Sequence, residues 1–136
     1  MRERLFRGKR VDNGEWIVGG LLQDDDGKTY IVGYEHRGGI DGMIDAELIL
    51  WEVIPETVGQ YTGLTDKNGK KIFEGDVVRD PETSYIGKIV FDTDTARFVI
   101  EFATFIVDFS DYNNGDVEVI GNVCDNPELI GEKTSG

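Results

Sequence analysis

The chain holds few side chains that could carry out a reaction. Its 136 residues include one His, one Cys and three Ser (Ser84, Ser110, Ser135). Any Ser–His–Asp or Cys–His arrangement must therefore run through His36, which sits in a loop flanked by Gly33, Gly38 and Gly39. A loop or surface histidine is the favoured reading there. A Cys/His zinc centre lacks ligands. Cys124 has no basic neighbour in sequence that would activate it, so it reads as a reduced thiol, as in a cytoplasmic protein.

Carboxylates are abundant, with 27 acids against 14 bases. Chance pairs are expected at that density, so Glu101 with Asp108 is only a weak acid–base candidate. Asp92-Thr93-Asp94 has the opening spacing of a calcium loop, but Ala96 and Arg97 occupy the next ligand and glycine positions. Asp66, Asn68 and Lys70 fail similarly. Asp24-Asp25-Asp26 reads as a solvated hairpin tip. No glycine-rich phosphate loop and no nucleophile elbow occurs. No catalytic residue, metal or cofactor is therefore expected.

The charge is distributed unevenly. The formal net charge is −13, yet the first ten residues carry Arg2, Arg4, Arg7, Lys9 and Arg10 against Glu3 alone. The stretch 92–130 holds nine acids and only Arg97 as a base. A field of that sign repels phosphate backbones at long range, which disfavours general nucleic-acid binding. No apolar run reaches the ~20 residues of a membrane helix, and no apolar segment follows the basic start.

Short runs rich in Val, Ile, Phe, Tyr and Trp alternate with Gly, Asn and Asp, which predicts a mainly β protein with little helix. Asn13-Gly14 predicts a two-residue type I′ hairpin turn. Strands are expected at 15–18, 29–34, 47–54, 75–79, 86–91, 97–102 and 117–120. The segment 103–109 either extends the sixth of these or begins another. Asn113-Asn114-Gly115 predicts a turn. Asn126-Pro127 predicts one helical turn capped by Asn126. An antiparallel hairpin lobe over 1–55 is expected to pack on an SH3-like barrel element over 66–136, the two forming one domain over 1–136. Its exposed edge strands make a homo-oligomer an expectation as well.

The run from Pro55 through Gly59-Gln60-Tyr61-Thr62-Gly63 and Asp66-Lys67-Asn68-Gly69-Lys70 to Gly75-Asp76-Val77-Val78 is distinctive. It resembles the central signature of the YopX family of phage and prophage proteins. Arg4-Leu5-Phe6-Arg7-Gly8-Lys9-Arg10 with Asn13-Gly14-Glu15-Trp16 resembles that family's opening. Val119-Ile120-Gly121-Asn122-Val123 with Asn126-Pro127-Glu128-Leu129 resembles its close. The resemblance implies an accessory protein in the cytoplasm of a bacterial host, with no activity and no catalytic residues to carry over. Within the signature, Gly59, Gln60, Tyr61, Gly63, Gly75 and Asp76 are the candidate binding residues. The favoured reading of the segment is nevertheless a folding element, with Gly59, Gly63, Gly69 and Gly75 supplying turn geometry and Gln60 and Tyr61 bonding exposed backbone.

A second candidate surface joins Arg2, Arg4 and Arg7 to Trp16 and Tyr34, with Tyr30 and Trp51 nearby in sequence. Exposed, these would form a stacking platform for a peptide or a single strand. Buried, they would be core, which is the usual fate of large aromatics. The leading expectation is a non-enzymatic protein that binds a host or phage macromolecule. The alternatives are an acidic mimic of nucleic acid that inhibits a DNA-acting enzyme, and direct nucleic-acid binding through the basic first strand.

Overall fold

The computed structural model describes residues 4–37, 45–109 and 116–131; for 34–37 and 45–46 it describes the backbone alone. Eleven strands run in the order β1 (Phe6–Lys9), β2 (Trp16–Gln23), β3 (Thr29–Arg37), β4 (Asp45–Val53), β5 (Gly59–Thr65), β6 (Lys71–Phe73), β7 (Asp76–Arg79), β8 (Ile86–Asp92), β9 (Arg97–Phe102), β10 (Ile106–Asp108) and β11 (Glu118–Asn122). Short 3-10 turns at Pro55–Thr57 and Pro127–Ile130 accompany them. There is no α-helix among the described residues. The strands form two antiparallel sheets, ordered β4-β3-β2-β1-β5-β6 and β10-β9-β8-β7-β11. The mainly β expectation is met. Neither sheet closes, so the expected SH3-like barrel is instead an open five-stranded sheet.

The chain divides into two compact units, Arg4–Gln60 and the chain from Tyr61 onward. In the first unit, β1 to β4 form a meander, and the chain just after β1 bonds the last residues of β4 without closing the sheet. The Val11 N–H donates to the Glu52 carbonyl (3.0 Å) and the Ile54 N–H to the Lys9 carbonyl (2.9 Å), around an isolated Arg10–Val53 bridge. Ile31 and Val53 are fully buried on the inner face, and Trp51 covers Gly33. In the second unit the core is Ile72, Val78, Ile89, Ile100, Phe102, Phe109 and Val117. Phe98, Ile100 and Phe102 share one face of β9, as the period-2 pattern requires.

Turn chemistry recurs along the chain. Asn13, Asp24, Asp66, Asp80, Asp92 and Asn122 each accept a bond from the N–H two residues on. A short side-chain oxygen at the first position of a turn satisfies backbone that the strands leave open. Four acids, Asp24, Asp66, Asp80 and Asp92, thus serve turns.

Several local expectations change. The Asn13-Gly14 turn is not a two-residue I′ turn, because Gly14 has φ +74° while Asn13 is not left-handed. The hairpin is closed by Arg10 and Glu15 around four loop residues, with Arg10 N–H donating to the Glu15 carbonyl at 2.9 Å. After β9 the chain reverses at 103–105, where Phe102 N–H donates to the Phe105 carbonyl, so β10 is a new strand. Asn126 does not cap the last turn; its Oδ1 accepts from the Asn122 N–H (3.2 Å). The Asn113-Asn114-Gly115 turn lies outside the described residues.

Ala96 ends the β8–β9 hairpin loop at φ +56°. An L residue there costs roughly 1–2 kcal/mol. Ala96→Gly relieves that strain and loosens the unfolded chain, so a net gain of about 0.5–1 kcal/mol is expected. Urea titration of the two proteins checks this, and a lowered midpoint would contradict it.

Candidate functional site

The signature segment is built as a hairpin with a bulge. Gly59 and Gln60 pair with Arg7 and Phe6 of β1. Gly59 is a buried strand residue, not among the left-handed glycines, so it supplies no turn. Between Tyr61 and Thr65 the register with β6 slips at Gly63, which has φ +92°. The Thr62 hydroxyl spans the irregularity. It donates to the Ile72 carbonyl (2.8 Å) and accepts from the Leu64 N–H (3.2 Å). The Tyr61 ring lies 5.6 Å from that of Phe73, and the Lys71 ammonium lies 5.5 Å from its centroid. Gly75, at φ +93°, donates to the Ile89 carbonyl and accepts from the Val123 N–H. Asp76 is 1% exposed and its Oδ2 accepts the Phe73 N–H at 2.8 Å.

Asp66, whose spacing fails that of a calcium loop, is engaged through both carboxylate oxygens. Oδ1 accepts from Asn68 N–H (2.8 Å) and Lys70 N–H (2.9 Å), and Oδ2 from Val119 N–H (3.0 Å). Lys67 N–H donates back to the Val117 carbonyl at 2.9 Å. Burial opposes the charge of Asp66, but the N–H groups of Val119, Lys70 and Asn68, with the Lys70 ammonium, outweigh it. The carboxyl is held below its ordinary 3.8. The Asp24 turn has the same intraturn bonds without the distant one. That likeness of Asp24-Asp25-Asp26-Gly27-Lys28 to Asp66-Lys67-Asn68-Gly69-Lys70 was the available signal for the turn, though not for its anchor.

A different surface is formed by β1 to β4. Pairing of Arg7 with Val18, Lys9 with Trp16, Leu22 with Tyr30 and Val32 with Leu50 puts these residues on one face, opposite Ile31 and Val53. The Arg7 guanidinium lies 4.8 Å and the Lys9 ammonium 5.5 Å from the Trp16 ring centroid. Trp16, Tyr30 and Trp51 are all half-buried. Val18, Leu22, Leu48 and Leu50 are exposed. Of the residues foreseen for this surface, Arg7 and Trp16 come together and Arg4 is exposed near them in the chain. Arg2 and the Tyr34 side chain lie outside the described residues. Lys9, Val18 and Leu22 were missed, because only the β1–β2–β3 register shows which residues share the face.

The family-model comparison decides the family. The YopX protein model matches residues 5–131.

The chain belongs to the YopX family.

This YopX protein is also similar to the crystal structure of protein EF1440 from Enterococcus faecalis, with 26% identity and a TM-score of 0.63 over 96% of this chain and 99% of that one. No curated protein matches it. In the YopX chain the described members of the signature are occupied in holding its own hairpin and loops. Four acids of 92–130 are similarly engaged. Glu101 pairs with Lys88 (3.5 Å), Glu118 with Arg79 (2.5 Å) and Asp108 with Arg97, while Asp92 accepts from Asp94 N–H and the Thr95 hydroxyl. Glu101 and Asp108 thus have separate cationic partners. No group of three or more His, Cys, Asp or Glu side chains able to hold a metal ion occurs among the described residues.

Proposed function

We propose that this YopX protein is a non-enzymatic phage or prophage accessory protein of the bacterial cytoplasm, and that it binds a protein of the host or the phage through the outer face of β1–β4. One observation carries the reading: Val18, Leu22 and Leu50 are 49%, 43% and 47% exposed on the face of the sheet opposite the buried Ile31 and Val53. Isolated exposed apolar residues are ordinary, whereas several on one sheet face mark an interaction surface. Trp16, with two cations against its ring, adds an aromatic anchor at the margin.

The two alternatives find less support. Nucleic-acid binding through the first strand needs cations committed to phosphates, yet Arg7 and Lys9 are partly buried against Trp16 and Arg10 pairs with Asp12 at 2.6 Å. Mimicry of nucleic acid needs carboxylates in phosphate-like rows, yet Glu101, Asp108 and Glu118 are neutralised by neighbouring cations.

The test compares the native chain with a Val18→Lys/Leu22→Lys variant as tagged baits in host lysate, with nuclease and at raised salt. A stoichiometric protein that survives nuclease and is lost with the variant is the expected result. Equal capture by both baits overturns the surface. Recovery that vanishes with nuclease transfers the function to the basic strand. A basic DNA-acting enzyme held by both baits transfers it to mimicry.

A further inference from the structure

The fourth strand is the end of its sheet, and its outer edge is long. Among the described residues no strand pairs with it from Asp45 to Trp51; only the Arg10 region covers its last residues. The direction of its backbone groups follows from that cover. The Glu52 carbonyl and the Ile54 N–H point outward, to Val11 and Lys9. In an antiparallel sheet both groups of alternate residues point the same way. The N–H and C=O of Ala46, Leu48 and Leu50 therefore face the open edge.

An edge of this kind is a template for another strand, and natural proteins blunt it with charge, proline or a bulge. Here the outward-bonding positions 46, 48 and 50 carry no charge and no proline, and the β3–β4 register runs unbroken from Arg37–Asp45 to Thr29–Val53. Leu48 is 55% exposed beside it.

We propose that β4 pairs with β4 of a second copy, antiparallel, about a two-fold axis at Leu48. The three outward residues are symmetric about that position. Leu48 meets Leu48, and Ala46 meets Leu50 of the other copy, which satisfies all six outward backbone groups in each copy. Glu47 falls opposite Ile49 and Asp45 opposite Trp51, so no acid faces an acid. The exposed leucines of the two outer faces join across the axis into one apolar stripe. An isologous contact of this kind closes as a dimer and does not propagate through β4.

Each copy carries −13. Long-range repulsion opposes the pairing, and salt screens it. The association is therefore expected to tighten as salt is raised, the reverse of a salt-bridged interface. The strand contact alone is small, below the ~1,000 Å² of a stable complex, so a weak, rapidly exchanging dimer is expected.

Sedimentation velocity on the purified full chain, over a concentration series at low and raised salt, measures this. Leu48→Pro removes an outward N–H that β3 does not use, and should raise the dimer dissociation constant at least about tenfold. Leu48→Lys places two ammonium groups at the axis without altering the backbone, and decides the matter should the proline variant fold poorly by circular dichroism. In a Cys124→Ser background, Leu48→Cys should cross-link on oxidation, because directly opposed Cα atoms of a hydrogen-bonded pair lie ~5.5 Å apart. Leu50→Cys should not. A monomer at every concentration and salt overturns the proposal. So does a dimer indifferent to both Leu48 variants, or a cross-link at 50 in place of 48. These readouts need no partner, so they succeed or fail independently of the protein-binding reading.

Discussion

Asp66→Ala is expected to destabilise the protein by about 2–4 kcal/mol. The wild-type carboxylate accepts three backbone N–H groups, two within its own turn and one from Val119, and is 3% exposed. Truncation strands the Val119 N–H at the start of β11 and removes the preorganisation of the 66–70 turn. Asp66→Asn keeps an acceptor for Asn68 and Lys70 but turns an amide donor toward the Val119 N–H. It should lose about 1–2 kcal/mol. Urea unfolding monitored by tryptophan fluorescence ranks the three proteins, and an alanine variant as stable as wild type would remove the assigned anchor. The pH dependence supplies a second check. The folded carboxyl is depressed below 3.8, so its stabilisation is complete above the unfolded value and is lost as pH falls through the folded one. Wild type should therefore lose more stability than Asp66→Ala between about pH 5 and pH 2.

Two adjacent glycines should respond in opposite ways. Gly19→Ala is expected to cost about 3 kcal/mol or more, because the new methyl would be driven into the Val32 carbonyl oxygen and within 3.0 Å of the Ile31 methyl. Backbone cannot rotate aside as a side chain can, so β2 must separate from β3 at the point where it leaves β1. Gly20→Ala meets only the Val32 Cβ, at 3.9 Å, and its φ is not left-handed. It should be neutral or gain about 0.4–1 kcal/mol by restricting the unfolded chain. Thermal denaturation of both variants separates them. A Gly20→Ala loss as large as that of Gly19→Ala would mean that the bend needs both glycines. Equal tolerance would mean that β2 and β3 are less closely apposed than the register implies.

Residue patterns alone were enough for the class of the fold and most of its strands. Period-2 runs such as Phe98-Val99-Ile100-Glu101-Phe102 can bury one face only as a strand, and Gly, Asn and Asp at the breaks are what tight reversals require. They also determined the family, through motifs spread in order from Arg4 to Leu129. What they could not determine were properties of pairs distant along the chain. Asp24 and Asp66 stand in the same local pattern, yet only Asp66 reaches a residue 53 positions away. Asn13-Gly14 has the composition of a two-residue turn, but the Arg10–Glu15 pairing placed the loop ends elsewhere. Trp16 read more readily as core than as surface until the β1–β2 register set Arg7 and Lys9 against its ring. Likewise the strand pattern fitted either a barrel or an open sheet. Closure depends on which strands finally hydrogen-bond, and the five-stranded sheet ends at β10 and β11 without joining them. Local propensity acts over a few residues, whereas register, closure and the buried partner of a carboxylate are set by tertiary contacts, and these distinguish the positions that hold the fold from those left to meet another molecule.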